Sequence, residues 1–472
     1  MALPKREVKV IEQCKVSPPT GSVPSTSLPL TYFDLPWLFV GHMKSLFFYE
    51  FPHPIHHFFE TILPTLKHSL SLTLQHFFPL AANLVSPPPP AKPHMLFTDG
   101  DSSVSLTVAE SSADFNLLLA NQYPQPVGTL HPFVPKLAPP SVEAGSRVGP
   151  VMALQITVFP NSGICIGFRV CHVASDGRSF EHFMKFWASV SKSGGDIHAN
   201  PRLPSHDRAA IKDPDGVDLT FLKSWWSCAS TSEDHVDAEP VLDCLADKVR
   251  ATFVLSQVQM DRLKRWVTNN LAKDEKSTPF HVSSFVASCA LLWVCLAKSK
   301  EIGERNDSRV DEDDDEPHHF IFVADCRSRL VFPLPMTYFG NCLTVCFAPV
   351  KRKVLLGDNG VVAAAKAIGR EVGRLEGEAL KEFEKLFEKH DEITKQGKYV
   401  SVSGSTKLGF YEVDFGWGKP KNVEFVHIEE SNAIGLVESR DEKGGVELSV
   451  TLSRDQMSCF SALLKEKLAE SI

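Results

Sequence analysis

Two residues that can cooperate in acid–base chemistry stand four positions apart in the segment CHVASDG at 171–177. The imidazole of His172 ordinarily titrates near pH ~6.5, so its neutral form can accept a proton from a hydroxyl at neutral pH. Asp176 could orient the surroundings of that ring or brace the turn by pairing with a buried arginine. Because the chain has 18 histidines, about one His-x-x-x-Asp is expected by chance. A core histidine beside a turn-capping aspartate is therefore the alternative interpretation.

A second motif, DFGWG at 414–418, follows the segment KLGFYEV, which reads as a strand. Its first three letters also occur in protein kinases, but the chain has no H-R-D loop and no glycine-rich loop with a following strand lysine. Gly416 and Gly418 let the backbone turn tightly and approach another element. Taken alone, the motif is also explained by a β-bulge with Trp417 in the core.

The elements that must position His172 are read from the hydrophobic pattern. Two apolar runs, at 150–160 and 163–172, are joined by a short turn and predict a hairpin of buried strands. His172 then lies at the end of a rigid strand, where the following turn opens to a cleft. Cys171 cannot serve as a nucleophile paired with it, because neighbouring strand residues point to opposite faces. Apolar residues at helical spacing from 180 to 190 predict a helix that Ser179 could cap.

The second half repeats this alternation, which indicates a mixed α/β class. The segment 280–298 predicts a mostly buried helix, 318–330 and 341–350 predict strands, and 361–390 predicts one long helix. Composition breaks occur at 86–93, at 191–216 and in the acidic run 304–319, which we interpret as a solvated insertion. The middle break suits a crossover, so we expect domains at 1–190 and 241–472, with a crossover segment at 191–240.

Composition limits the classes of function. A net charge of −8 without a basic stripe makes nucleic acid an unexpected partner. The first residues lack a secretory signal pattern and no apolar run is long enough to span a bilayer, so the cytoplasm is the expected location. The 11 cysteines include no C-x-x-C and lie mostly in apolar segments, which predicts reduced, buried thiols and no metal site.

A third segment, ADCRSRLVFPLPMTYFGNC at 324–342, completes a pattern that resembles the BAHD family of plant acyl-CoA-dependent acyltransferases. That family carries H-x-x-x-D near its middle and D-F-G-W-G near its C-terminus, and both are intact here in that order. YFGNC is similar to a mark of the branch that acylates anthocyanin and flavonoid glycosides, as is TYFDLPWLFVGHMKSLFFYEF at 31–51. The resemblance covers essentially the whole chain, and the acidic insertion is the one evident departure.

The resemblance implies two chloramphenicol-acetyltransferase-like domains, each a mixed β-sheet with helices, that face each other across a solvent channel holding His172. Acyl-CoA would enter the channel from one end and the acceptor from the other. Asp176 would point away from the channel and pair with an arginine, for which Arg327 is our choice over Arg329. Asp414 and Gly416 would be structural and close the channel wall, with a catalytic Asp414 as the alternative.

Acyl transfer from a thioester needs a base for the attacking hydroxyl, which His172 supplies, and donors for the developing oxyanion. No G-x-S-x-G elbow exists in the chain, so we expect direct attack in a ternary complex, not a serine acyl-enzyme. The indole N–H of Trp417 is a candidate oxyanion donor, with core packing as the alternative. Coenzyme A would lie along the second half, near Lys264 and near Ser283 and Ser284 at a helix start.

The identity of the acyl donor stays open, because members of this branch use either malonyl-CoA or hydroxycinnamoyl-CoA. Arg178 could pair with a malonyl carboxylate, although a surface arginine at a helix N-terminus is the plain alternative. We therefore expect a monomeric malonyltransferase of phenolic or flavonoid glycosides that holds no bound cofactor and uses malonyl-CoA as co-substrate. The alternatives are a hydroxycinnamoyl transferase, a non-catalytic relative that binds CoA or a protein partner, and a nonribosomal condensation-type domain, which lacks DFGWG.

Overall fold

The structure, a computed structural model, describes residues 8–120, 124–199, 202–229, 247–273, 280–304, 315–431 and 433–470. Its helices pack on the faces of mixed sheets, as the alternating pattern predicts. They are α1 (Ile55–His57), α2 (Leu63–Leu74), α3 (Phe115–Leu119), α4 (Gly177–Lys192), α5 (Val217–Ala229), α6 (Gln257–Leu271), α7 (Ser284–Glu304), α8 (Arg352–Leu356), α9 (Gly360–Glu378), α10 (Leu386–Gln396) and α11 (Arg454–Glu470).

Two large sheets and one small sheet carry the strands. The first sheet has the order β1 (Val8–Val16), β6 (Val104–Ser111), β10 (Met152–Phe159), β11 (Gly163–Val170), β3 (Met43–Glu50) and β16 (Asn422–Phe425). The second has the order β14 (Leu343–Lys351), β13 (Pro317–Asp325), β15 (Tyr399–Gly404), β17 (Ala433–Glu438), β18 (Val446–Ser453), β12 (Lys248–Leu255) and β7 (Gln125–Pro126). The small sheet has the order β2 (Thr26–Pro29), β5 (His94–Phe97), β4 (Asn83–Ser86), β9 (Ser146–Pro150) and β8 (Ser141–Glu143).

The predicted hairpin is the centre of the first sheet. Strands β10 and β11 pair antiparallel, and every residue of both is buried. Their continuous apolar sequence reflects cover on both faces: α2 and α4 pack on one side, and a layer around Phe133 packs on the other. Gly167 shows how closely that second layer approaches, because a Cβ there would lie 2.2 Å from the carbonyl oxygen of Phe133. The strand that leads to His172 is therefore held from both sides.

The two large sheets are linked by an exchange of strands. β16, from the C-terminal half, pairs antiparallel with β3 and completes the first sheet. β7, from the N-terminal half, pairs with β12 at the edge of the second sheet. The domain limits at 190 and 241 stay a prediction. β16 and β7 each pair with the large sheet of the other predicted domain.

Three local expectations need correction. The segment 361–390 is two helices, because Gly377 adopts φ 94° and breaks the helical path before α10. KLGFYEV contains a 3₁₀ turn, Phe410–Glu412, instead of a strand, and both Phe410 and Tyr411 are buried in the core. Helix α4 is capped by Asp176, which accepts a hydrogen bond from the backbone N–H of Ser179, so Ser179 lies inside the helix.

None of the helices in the described ranges has the length and apolar character needed to cross a bilayer.

Candidate active site

His172 lies directly after β11, as its position in the sequence predicts, and begins a 3₁₀ turn, His172–Ala174. Its ring stacks on Trp37, with centroids 3.8 Å apart and planes 8° from parallel. Trp37 belongs to another 3₁₀ turn, Leu35–Phe39, in the segment that resembles the family opening. His172 as a residue is partly exposed, while its ring lies flat against the indole and its Nδ1 is buried.

Burial lowers the pKa of His172 from its ordinary value of 6.5, although the ring's own backbone carbonyl, the charge of Asp176 and the side chain of Asn341 act in the opposite direction. A lowered pKa leaves the imidazole neutral at neutral pH, which is the form that accepts a proton. The arrangement therefore suits a general base.

Asp176 is fully buried, and its carboxylate is bonded within the protein. Its two oxygens accept hydrogen bonds from Nη1 and Nη2 of Arg327 at 2.8 and 3.1 Å. They also accept the backbone N–H groups of Ser179 at 2.9 Å and Cys342 at 3.1 Å. Arg327 is thus the arginine that bonds this carboxylate, whereas Arg329 is bonded to the carbonyl of Asp325. Asp176 joins the start of α4 to the segment between β13 and β14.

Asn341 and Asp34 lie against the same turn, and sequence reasoning assigned neither of them a role. The side-chain nitrogen of Asn341 donates to the carbonyl oxygens of His172 at 3.0 Å and Val173 at 3.1 Å, and to Oδ1 of Asp34 at 3.1 Å. Both Asn341 and Asp34 have no solvent exposure. The available signal was a polar residue inside each of the two segments that carry the resemblance, YFGNC and TYFDLPW.

Arg178 stands at the first turn of α4, and the structure shows that it already has an anionic partner. Its Nε donates to Oδ2 of Asp325 at 2.6 Å, and the side chain is 31% exposed. Asp325 in turn accepts from Nη1 of Arg327 at 3.1 Å. Arg178 therefore belongs to the edge of the Asp176–Arg327 network, which the sequence did not indicate.

The DFGWG loop is closed by its own aspartate. Oδ1 of Asp414 accepts the backbone N–H groups of Gly416 at 2.8 Å and Gly418 at 2.9 Å. Oδ2 accepts from Nζ of Lys192, at the end of α4, at 2.6 Å. Both glycines adopt positive φ, 109° and 108°, which favours glycine over other residues. These contacts fit the structural role implied for Asp414 and Gly416.

Trp417 is not brought to His172. Its ring packs among Tyr49, Phe51 and Phe415. Tyr49 lies opposite Ile164 in the sheet register, whereas Met43 lies opposite Val170, two residues before His172. Six strand residues span roughly 20 Å, so Trp417 occupies the opposite end of β3 and β11. The oxyanion role suggested for Trp417 has no geometric support, and its contacts are those of a core residue.

The residues suggested for coenzyme A lie on helices of the second half. Oγ of Ser283 accepts the backbone N–H of Val286 at 3.2 Å and caps α7, which begins at Ser284. Lys264 lies on α6 and pairs with Asp261 at 2.8 Å on the surface. The described contacts do not join Lys264 to either serine.

A second histidine connects the two halves near His172. Nδ1 of His427 lies 3.2 Å from the backbone nitrogen and 3.1 Å from the carbonyl oxygen of Lys44, in β3, and its Nε2 lies 2.8 Å from Oγ of Ser403 in β15. Burial lowers the pKa of His427 to about 4, and the nearby His172 is among the groups that lower it further. The ring of His427 is therefore neutral and lies close to His172, on the side of the second sheet.

A surface groove of about 380 Å³ lies between β14, α9 and α10. None of the residues that line it is one of the candidate site residues. We therefore do not assign the chemistry to this groove.

Comparisons with known proteins identify the family and the fold. The model of a family described as the Transferase family matches residues 6–466. The chain is 42% identical to coumaroyl-CoA:anthocyanidin 3-O-glucoside-6''-O-coumaroyltransferase 1 of Arabidopsis thaliana, across 97% of each chain. It is 36% identical to malonyl-coenzyme A:anthocyanin 3-O-glucoside-6''-O-malonyltransferase of Dahlia pinnata, across 98% of each. The crystal structure of vinorine synthase superposes with a TM-score of 0.66 at 22% identity, across 99% of this chain and 98% of that one, which shows a shared fold.

Proposed function

Because the chain belongs to this transferase family, the BAHD acyltransferases, we propose that it transfers an acyl group from acyl-CoA to a sugar hydroxyl of a phenolic or flavonoid glycoside. The observation that carries the proposal is the placement of His172, partly exposed at the end of a buried strand and neutral at neutral pH. A general base needs both properties.

The reaction runs by direct attack. Nε2 of His172 accepts the proton of the acceptor hydroxyl, whose oxygen forms a bond to the thioester carbonyl carbon. Collapse of the tetrahedral intermediate breaks the carbon–sulfur bond, and the leaving thiolate of coenzyme A takes the proton from His172. Atoms and charge balance without a covalent acyl-enzyme. Asp176 takes no part in this transfer, because its oxygens are occupied by Arg327 and two backbone N–H groups.

Malonyl-CoA is the donor predicted from the sequence, with Arg178 as the group that meets its free carboxylate. The proposal requires the guanidinium to share its charge between that carboxylate and Asp325. The side chain of Arg178 is 31% exposed, which leaves some of its guanidinium N–H groups open to a ligand. A charge-assisted hydrogen bond of this kind contributes about 1.5 to 3 kcal/mol.

A hydroxycinnamoyl donor is the second candidate, and a specific observation favours it. The charge of Arg178 is already balanced by Asp325 at 2.6 Å, so the site shows no unmatched cation among the described residues around α4. The Arabidopsis relative at 42% identity has coumaroyl-CoA in its name, and the Dahlia relative at 36% has malonyl-coenzyme A.

We further propose that Lys264, Ser283 and Ser284 contact coenzyme A. The start of α7, a helix of 21 residues, offers backbone N–H groups to an anion. We also propose that the protein acts as a cytoplasmic monomer without a bound cofactor. The free cysteines Cys14, Cys165, Cys171, Cys289, Cys295, Cys326, Cys342, Cys346 and Cys459 support the proposed location. Reduced thiols are typical of cytosolic proteins.

The test is a donor panel. Purified protein is incubated with malonyl-, acetyl- and coumaroyl-CoA against flavonoid and simple phenolic glucosides, with product masses as the readout. The His172→Ala variant should lose acyl transfer while its fold and its CoA binding stay nearly intact. His53→Ala, which removes an exposed histidine, is the matched control and should keep wild-type rates. More than about a tenth of the rate in His172→Ala would remove the residue from this role, and no product from wild type with any donor would favour a non-catalytic relative.

A further inference from the structure

The loop between β13 and β14 presents apolar side chains to solvent. Val331 is 90% exposed and Phe332, its neighbour, is 70% exposed. Among the large apolar residues that the structure describes as exposed, Val331 has the highest value and Phe332 is the one aromatic residue. Single exposed apolar residues are common on protein surfaces, whereas adjacent ones that form a patch mark interaction sites.

Two further apolar residues extend this patch. Met336, on the same loop, is 49% exposed, and Leu203, from the crossover segment, is 52% exposed. The two segments run side by side, because Ser205 and Tyr338 form a parallel bridge. Leu203 and Met336 each stand two residues before their segment's member of that bridge, so they lie close together. We call the four residues Leu203, Val331, Phe332 and Met336 the apolar tip.

The loop is restrained behind the apolar tip. Leu334 is buried, and its backbone N–H donates to the carbonyl oxygen of Arg327 at 2.9 Å. The N–H of Tyr338 donates to the carbonyl oxygen of Pro335, also at 2.9 Å. Pro333 and Pro335 fix the backbone on each side of Leu334. A restrained loop loses little conformational entropy when a partner covers it, so the apolar tip is preorganised for contact.

The charges beside the apolar tip are positive, although the chain carries a net charge of −8. The loop segment 326–338 contains two arginines and no acidic residue. One of them, Arg329, is exposed, and its Nη1 donates to the backbone carbonyl of Asp325. Arg202, which directly precedes Leu203, is exposed as well. Two exposed guanidinium groups therefore border the apolar residues.

The carboxylates nearest in sequence to these arginines are already bonded. Asp325 pairs with Arg178 at 2.6 Å and with Arg327 at 3.1 Å. Oδ1 of Asp207 accepts the backbone N–H of Ala209 at 3.0 Å. The surroundings of the apolar tip therefore favour an anionic partner.

The size of the apolar tip excludes a stable dimer as its use. Even if all four side chains were covered, they would bury only roughly 400 Å², whereas a stable protein interface buries about 800 Å² on each partner. A second copy would also bring the same net charge of −8. A bilayer surface demands less, because a few apolar side chains and neighbouring cations suffice for weak attachment to anionic lipids.

We propose that the apolar tip docks the protein on bilayers that contain anionic phospholipid. Val331 and Phe332 enter the boundary between headgroups and acyl chains, while Arg329 and Arg202 stay at the level of the phosphates. The attachment is weak and reversible, because four side chains offer no more apolar area than a single acyl anchor, which itself binds only marginally. It involves no acyl transfer and is independent of the proposed function.

Vesicle flotation of the full chain tests the proposal, without CoA or acceptor. Wild type should float with vesicles of phosphatidylcholine that contain about 30% phosphatidylserine, and its partition coefficient should fall at least about fivefold on pure phosphatidylcholine or in about 0.5 M salt. Val331→Ser/Phe332→Ser should lower the partition coefficient at least about tenfold. Arg329→Gln should lower it about fivefold on anionic vesicles.

Val142→Ser is the matched control, because it removes a valine that is 78% exposed from β8 in the small sheet. It should float like wild type, and unchanged melting temperatures should show that all variants are folded.

Three results would overturn the proposal. The first is a wild type that does not float at about 1 mM accessible lipid. The second is equal flotation of the double serine variant and wild type, or of wild type on neutral and anionic vesicles. The third is a dimer in analytical ultracentrifugation that the double variant converts to monomer, which would assign the apolar tip to a second copy. Flotation needs no turnover, so a wild type that floats but transfers no acyl group would refute the proposed function alone.

Discussion

Replacing Asp176 by alanine should unfold the protein at a markedly lower temperature, and the structure allows the loss to be estimated. The change removes four accepted hydrogen bonds: two come from Arg327, one comes from Cys342, and the one from Ser179 is the N-cap of α4. It leaves a fully buried guanidinium with Asp325 at 3.1 Å as its remaining ion-pair partner among the described residues. Removing one partner of a buried pair costs about 3 to 5 kcal/mol, and removing a cap costs about 1 kcal/mol.

Because Asp325 still balances the charge of Arg327, we take about 3 kcal/mol, the lower end of that range, for the ion pair. With the cap, the expected loss of free energy of unfolding is about 4 kcal/mol. In a cooperative unit of roughly 150 to 250 residues, each kcal/mol lowers the Tm by roughly 2 to 4 °C, so the loss is on the order of 10 °C. Thermal unfolding followed by far-ultraviolet circular dichroism measures it, and activity is measured on the folded fraction. Asp414→Ala is the control, since that carboxylate is partly exposed and bonds an exposed lysine; it should lose only about 3 °C.

The double variant Asp176→Ala/Arg327→Met tests the cause. It removes the unpaired charge as well as its partner, so it should be more stable than Asp176→Ala by about 1 to 2 kcal/mol. An Asp176→Ala protein that melts within about 2 °C of wild type yet is inactive would show that Asp176 acts directly in the chemistry. The same result would refute a purely structural role for this carboxylate.

Four further outcomes are expected. Because burial lowers the pKa of His172 and the neutral ring is the active form, kcat/KM should fall only as the pH drops through a midpoint below 6.5, and a midpoint above that value would contradict the assignment. If malonyl-CoA is the donor, Arg178→Ala should raise its KM roughly ten- to a hundredfold and leave acetyl-CoA nearly unaffected; equal losses with every donor would indicate a packing defect. Trp417→Phe should keep kcat within about threefold, because the indole lies roughly 20 Å along the strands from the base, and a hundredfold loss would restore its oxyanion role. Gly340→Ala should destabilise by about 2 kcal/mol or more, since φ is 147° and a Cβ would lie 2.0 Å from Nη1 of Arg208, and an unchanged Tm would refute that strain.

The sequence predicts best where one physical signal dominates. Two mostly apolar runs joined by a short turn favour a strand pair covered on both faces, so the position of His172 followed from the pattern. The pattern does not reveal the break at Gly377, because the surrounding residues are strong helix formers and only the left-handed backbone of the glycine ends the helix. The strand expected before Asp414 is wrong because Gly409 adopts φ 67° and begins a 3₁₀ turn, and periodicity does not reveal an irregular turn packed into a core.

Contacts between distant segments are the second feature that could not be predicted from the sequence. The sequence presents Arg178 as a free cation because nothing local indicates that Asp325, 147 positions along the chain, would meet it. It presents Trp417 as a site residue because DFGWG shares a family pattern with the histidine motif, although the sheet register separates the two. Asn341 stands in the sequence only as a letter of a motif, since its role depends on the carbonyl groups of a turn that comes from the other half of the protein.

The strand exchange also determines when the protein can finish folding. During synthesis the outer edge of β3 emerges early, yet its neighbour β16 begins only at Asn422. Until then the first sheet presents unpaired backbone groups along that edge, which is the surface on which nascent chains associate wrongly. His427, two residues after the end of β16 and close enough to His172 for their charges to interact, takes its place only when this strand has paired. A ribosome-bound chain that lacks its final segment should therefore carry an open sheet edge and lack one of the groups that surround His172.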